Sequence, residues 1–104
     1  MEYQAAFRDL PPEDARDLDR TFHVWQDWAL KKVNGRSERL GRRVIVKHDA
    51  IEFEIVLPDN RHWIGWFFVV SNRLYQVNIL GPGLTVDHPT TREFIGSFQL
   101  LESP

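Results

Sequence analysis

The stretch His62-Trp63-Ile64-Gly65-Trp66-Phe67-Phe68-Val69-Val70 decides the fold, because it is aromatic or β-branched at nearly every position rather than at every second one. In an extended chain Trp63, Phe67 and Val69 point to one side and Ile64, Trp66, Phe68 and Val70 to the other. A strand that is apolar on both sides is covered on both sides, and so belongs in the centre of a sheet. Ser71–Asn72 supplies a tight turn into residues 74–80, where Tyr75, Val77 and Ile79 share a face.

Working upstream, Ile51, Phe53, Ile55 and Leu57 alternate with Glu52 and Glu54, the signature of a half-buried strand with its acids facing water. Pro58–Asp59–Asn60 turns that strand into the central one. Before it, residues 43–47 hold Val44, Ile45 and Val46 between basic residues, with His48–Asp49 as a turn. These segments form a meander of three or four antiparallel strands.

From Glu13 onward the period changes. Ala15, Leu18, Phe22, Trp25, Ala29 and Val33 recur at spacings of three and four, one helical stripe that Trp28 widens. Glu13 and Asp14 in its first turn, Lys31 and Lys32 in its last, and Asn34–Gly35 after it suit the helix dipole and a C-cap. Ahead of it, residues 3–7 read as a short strand that Pro11–Pro12 ends. At the other end Gly81–Pro82–Gly83 breaks the sheet, and Asp87–His88–Pro89–Thr90 opens a last helix whose Phe94, Ile95 and Phe98 cap the sheet. The expectation is one α+β domain: a long N-terminal helix packed on an antiparallel sheet of about four strands, with a short C-terminal helix.

Composition agrees with a single core. The 104 residues are 42% hydrophobic and 12% aromatic, long enough for one domain and too short for two. There is no cysteine, so no disulfide framework or thiolate metal site is available. The N-terminus has neither a basic nor an apolar leader segment, and no apolar run approaches the roughly 18 residues of a spanning helix. Cytoplasm is the default compartment, and no membrane partner is expected.

Net charge is −2, yet residues 31–47 hold seven basic residues against one acid, a local charge of +6. Arg36, Arg39, Arg42 and Arg43 could present an anionic-partner patch. The plainer reading is a solvated strand edge protected by charge. Nucleic acid is not expected as a partner, since the whole is acidic and carries no recognised binding signature.

The residues of a catalytic or metal site are present only in isolation. His23, His48, His62 and His88 stand at no metal-ligand spacing. Asp87–His88 with Ser97 lacks a nucleophile elbow and reads as a helix start. Glu52 and Glu54, roughly 7 Å apart along a strand, fall in the range used by glycosidases, but alternating acids on an exposed strand face are ordinary. Gly81–Pro82–Gly83 fails the dinucleotide fingerprint. No cofactor is implied, and the residues lean against an enzyme.

The four tryptophans stand out. Trp25 and Trp28 on the helix and Trp63 and Trp66 on the central strand read first as a shared core. Alternatively they mark, with Tyr75, a ligand or partner surface, and the space between helix and sheet is a small-molecule pocket or the site of an enzyme without a recognisable motif, with Arg73 or His62 at its mouth.

The order of the Leu10–Pro11 step, the long helix, the basic strand, Phe53–Glu54–Ile55–Val56–Leu57, Asn72–Arg73–Leu74–Tyr75–Gln76–Val77 running into Gly81–Pro82, and Phe94–Ile95–Gly96–Ser97–Phe98–Gln99–Leu100 resembles the PsbP-like α/β/α sandwich superfamily of small bacterial domains. The resemblance covers residues 3–100. Lys47–His48–Asp49–Ala50 stands where that family has a glycine-rich turn. The resemblance implies a chain lacking the family's first strands, either a relative truncated at the N-terminus or one whose open sheet is covered by a second copy in a homodimer. It also implies a binding or structural module, since members of that superfamily share no catalytic residues.

Overall fold

The computed structural model describes residues 2–45 and 47–102, with side chains described as far as Ser97. The elements are β1 (Glu2–Asp9), α1 (Pro12–Ala15), α2 (Leu18–Val33), β2 (Arg36–Ile45), β3 (His48–Val56), β4 (Arg61–Val70), β5 (Arg73–Pro82) and α3 (Pro89–Glu102). All five strands pair antiparallel in the order β1-β5-β4-β3-β2. Val46, expected within the second strand, and the side chain of Phe98, expected to cap the sheet, lie outside the described residues.

This corrects the expected four-strand sheet under a long N-terminal helix. The chain opens with a full strand, β1, whose eight residues pair with β5, a partner more than 60 residues further along the chain. Its sequence alternates too weakly to announce this, because all eight residues are exposed and no buried face imposes a pattern. The expected single helix from Glu13 is two: α1 is one turn, the chain bends at Arg16, and the Asp17 carboxylate accepts from the Arg20 N–H to start α2 afresh. α2 ends on Asn34, whose left-handed φ of 53° lets its N–H reach the Leu30 and Lys31 carbonyls. The basic residues after it extend β2 back to Arg36, with a register shift between Ser37 and Arg39.

The two-sided reading of residues 62–70 matches the packing. On one face α2 lays Phe22 against Ile51, Phe53, Ile55, Phe67 and Leu74. On the other, α3 and the segment before it bring Leu84, Val86 and Ile95 against Ile64, Trp66, Phe68, Val77 and Ile79. The apolar side chains of both layers are removed from water, each well-buried one contributing about 1.5–3 kcal/mol.

Candidate functional site

The tryptophans separate between these layers. Trp66 is fully buried on the α3 side, where its indole N–H donates to Glu52 Oε2 at 2.7 Å. Tyr75 is on that side as well, stacked on Phe68 at 5.5 Å. The other three gather on the α2 side. Trp25 meets the edge of Trp63 at 5.5 Å and Phe53 at 5.2 Å, and the Trp63 N–H donates to Asn78 Oδ1 at 2.9 Å. Trp28, one helical turn from Trp25, is 57% exposed, with the Lys32 ammonium 5.2 Å from its ring centre. Tyr75 and Trp66 therefore do not join the expected surface, and neither do His62 and Arg73, which alternate onto the face of Trp66 and Tyr75.

α2 packs on β3 and β4 and leaves a groove beside β5 and β1. One part, of about 410 Å³, is lined by Arg8, Arg20, Val24, Trp25 and Trp28. A second, of about 240 Å³, shares Arg8 and both indoles and is floored by Ala6, Leu74 and Gln76. Beyond Trp63 a third, of about 260 Å³, runs past Asn78 and Leu80. The walls of the first part set Val24, Trp25 and Trp28 beside Arg8, Asp14, Arg20 and Thr21, and its size falls within the roughly 300–1,000 Å³ of small-molecule sites.

Each member of the arginine run stands beside a carboxylate of the same chain. Arg36 pairs with Glu38 at 3.3 Å, Arg39 with Asp87 at 3.3 Å, Arg42 with Asp19, and Arg43 with Glu52 at 2.7 Å. Strand alternation also splits them, Arg39 and Arg43 turning to the α3 side and Arg42 to the α2 side. At the far edge the hydrogen bond from Arg73 to Asp9, at 3.0 Å, raises the guanidinium further above its usual range and ties β1 to β5.

Glu52 and Glu54 do not face water. Both turn into the α3 layer, Glu54 2% exposed, and the polar neighbours absent from the sequence reading are there. Glu52 accepts from Arg43 and Trp66, and Arg92 lies 3.7 Å away; Glu54 Oε2 sits 3.2 Å from His62 Nδ1. The signal was available in β4: Glu52 lies opposite Trp66 and Glu54 opposite Ile64, so a two-sided apolar β4 buries whatever its neighbour places beside it. The other Glu54 oxygen, Oε1, is buried without a hydrogen bond. Replacing Glu54 by methionine is therefore expected to leave stability within about 1 kcal/mol of the parent or to raise it, measured by urea unfolding. A loss beyond about 2 kcal/mol would mean that the His62 contact outweighs the desolvation.

His88 acts as read, its Nδ1 accepting from the Thr90 N–H at the start of α3. Among the described residues no three His, Asp or Glu side chains cluster to hold a metal, and no helix is long and apolar enough to cross a membrane.

No family model matches the chain, and no curated protein matches it. Among solved structures it is similar to a Pseudomonas aeruginosa protein of unknown function, at 10% identity and a TM-score of 0.49, over 100% of this chain and 83% of the other.

Proposed function

We propose that this domain is a non-catalytic binding module of the PsbP-like kind, and that its site is the groove between α2 and the β5–β1 side of the sheet, which takes a flat apolar ligand. One observation carries the reading: Trp25 and Trp28 both line an open cleft of about 410 Å³, and Trp28 spends its ring on solvent although the same chain buries Trp66 completely. An indole left beside a cleft is an anchor for a planar partner, which it holds by burial and by ring contact. Gln76, Thr21 and Arg20 supply hydrogen-bonding groups at the walls. Arg20 is already bonded to Asp14 at 3.1 Å, so shape and stacking set the preference before charge does. The PsbP-like relationship rests on the sequence features quoted above.

Titration with 1-anilinonaphthalene-8-sulfonate, read by energy transfer from tryptophan, tests the site. Saturable binding is expected, weakened about tenfold in Trp28→Ala, the equivalent of one aromatic contact of about 1.4 kcal/mol. Because Trp28 is exposed, that variant keeps its fold. Binding equal in parent and variant, or no binding, removes the groove as the site. The reading includes self-association as a homodimer, supported by a sheet edge that none of the described elements covers: the outer side of β1.

A further inference from the structure

We propose that β1 pairs antiparallel with β1 of a second copy of this chain, about a two-fold axis through Ala5, joining two five-stranded sheets into one. The inference rests on the self-association proposed above and specifies its surface and register.

The two edges of the sheet are built differently. β2 carries Arg36, Glu38, Arg39, Arg42 and Arg43 and is broken by a bulge at Ser37–Arg39, devices that discourage a further strand. β1 has no such defence at its centre. Its eight residues pair one-to-one with β5 without a register shift, all are exposed, and Gln4, Ala5, Ala6 and Phe7 are uncharged. It also presents two of the chain's exposed aromatic rings, Tyr3 at 53% and Phe7 at 63%.

The sequence of β1 complements itself in one register. A two-fold axis normal to the sheet keeps each face on its own side, so it sets even residues opposite even ones and odd opposite odd. Its centre is then Gln4, Ala5 or Ala6. Centred on Gln4, it sets Glu2 opposite Ala6 and Tyr3 opposite Ala5; centred on Ala6, it sets Arg8 opposite Gln4, Phe7 opposite Ala5 and Asp9 opposite Tyr3. Neither matches charge with charge. Centred on Ala5, Glu2 meets Arg8 of the second copy and Tyr3 meets its Phe7, and the axis repeats both contacts.

The ion pairs within the chain support that choice. Of ten arginines, eight have a carboxylate within 4.0 Å, and Arg8 and Arg16 do not, among the described residues. Glu2 likewise has no ion pair there. Their separation of six residues about Ala5 is what lets two unpaired charges of one strand satisfy those of its copy. Meanwhile Asp9 and Arg73, with the guanidinium 4.6 Å from the Phe7 ring centre, hold the end of β1 on its own sheet.

The test uses the absence of cysteine. Opposed residues of an antiparallel pair stand about 4.5–5.5 Å apart at Cα, inside the disulfide range. Under mild oxidation Ala5→Cys is expected to run as a covalent dimer on a non-reducing gel, and Ala6→Cys, which faces Gln4, to remain single. Glu2→Arg and Arg8→Glu are each expected to weaken the dimer roughly tenfold in sedimentation, and the double variant to restore it. A dimer indifferent to both swaps, or cross-linked through Ala6→Cys instead, overturns the β1 register while leaving self-association standing. A monomer throughout the micromolar range overturns both.

Discussion

Truncation of Phe22 to alanine is expected to lower the unfolding free energy by about 3–5 kcal/mol, a large part of the roughly 5–15 kcal/mol that holds a domain of this size. The expectation comes from where the ring sits. Phe22 is wholly removed from solvent and touches Phe67 at 5.3 Å, Phe53 at 5.5 Å and Trp25 at 5.8 Å between ring centres. Those partners belong to β4, β3 and α2, so the ring joins the helix to the two strands beneath it. Their own positions are fixed by further contacts, and Trp25 and Phe53 both lean on Trp63. Collapse into the vacated space is thereby limited, and the upper part of the range applies. Urea unfolding at equilibrium measures the loss, and an unchanged slope with denaturant would confirm that the native state alone was weakened. Phe22→Leu, which keeps most of the volume, should lose far less. A cost below about 1 kcal/mol for alanine would mean that α2 is not docked through this ring.

The same packing explains what the sequence disclosed. The α2 stripe, the two-sided β4 and the apolar face of β3 were legible because buried faces impose a period, and a period can be read from one chain, whereas the acid face of β3 is buried too. β1 was legible only as a short strand over residues 3–7, without its partner, and the first half of β2 not at all, since both lie at edges and are exposed along nearly their whole length. An edge strand owes its place to backbone pairing, and backbone pairing leaves little mark on side-chain order. The break between α1 and α2 was missed for another reason: the apolar stripe continues through Ala15 and Leu18, and only the Asp17 cap marks where one helix stops and the next begins.

The candidate site was legible in part. Trp25, Trp28 and Trp63 were expected together and are on one face, but Tyr75 was assigned to it because strand phase was not carried from β4 into β5. Tyr75 lies opposite Phe68, which faces α3, so the register settles its side. The arginine run reads as unpaired charge in the sequence and is paired in the fold. Summed charge along a segment says nothing of acids brought up by other elements, here Asp19 from α2, Glu52 from β3 and Asp87 from the segment before α3.

Gly65→Ala carries the other large expected effect, a loss of about 3 kcal/mol at the upper end of ordinary overpacking. The residue stands in the buried middle of β4, where glycine would otherwise be a poor choice. A Cβ there would lie 2.1 Å from Phe53 Cζ and 2.7 Å from Asn78 Oδ1, both far inside contact distance. The Phe53 ring lies across the bare backbone of its partner strand, and the space for it exists because position 65 has no side chain. The ring cannot swing away easily, since Phe22, Trp25 and Trp63 surround it. Asn78 cannot retreat freely either, because its Oδ1 accepts the indole N–H of Trp63 and a hydrogen bond from Gln76. An added methyl therefore disturbs Phe53, on which Trp25 packs, and Asn78 at the far end of the groove, and loss of stability should come with weaker binding of an aromatic probe. Shortening Phe53 to leucine in the same chain separates the causes. If the clash is the origin, Phe53→Leu should cost less in the Gly65→Ala background than in the parent, a coupling of at least about 1 kcal/mol between the two sites. Additive losses would instead assign the effect to the strand backbone and would remove Gly65 as the feature that shapes the groove.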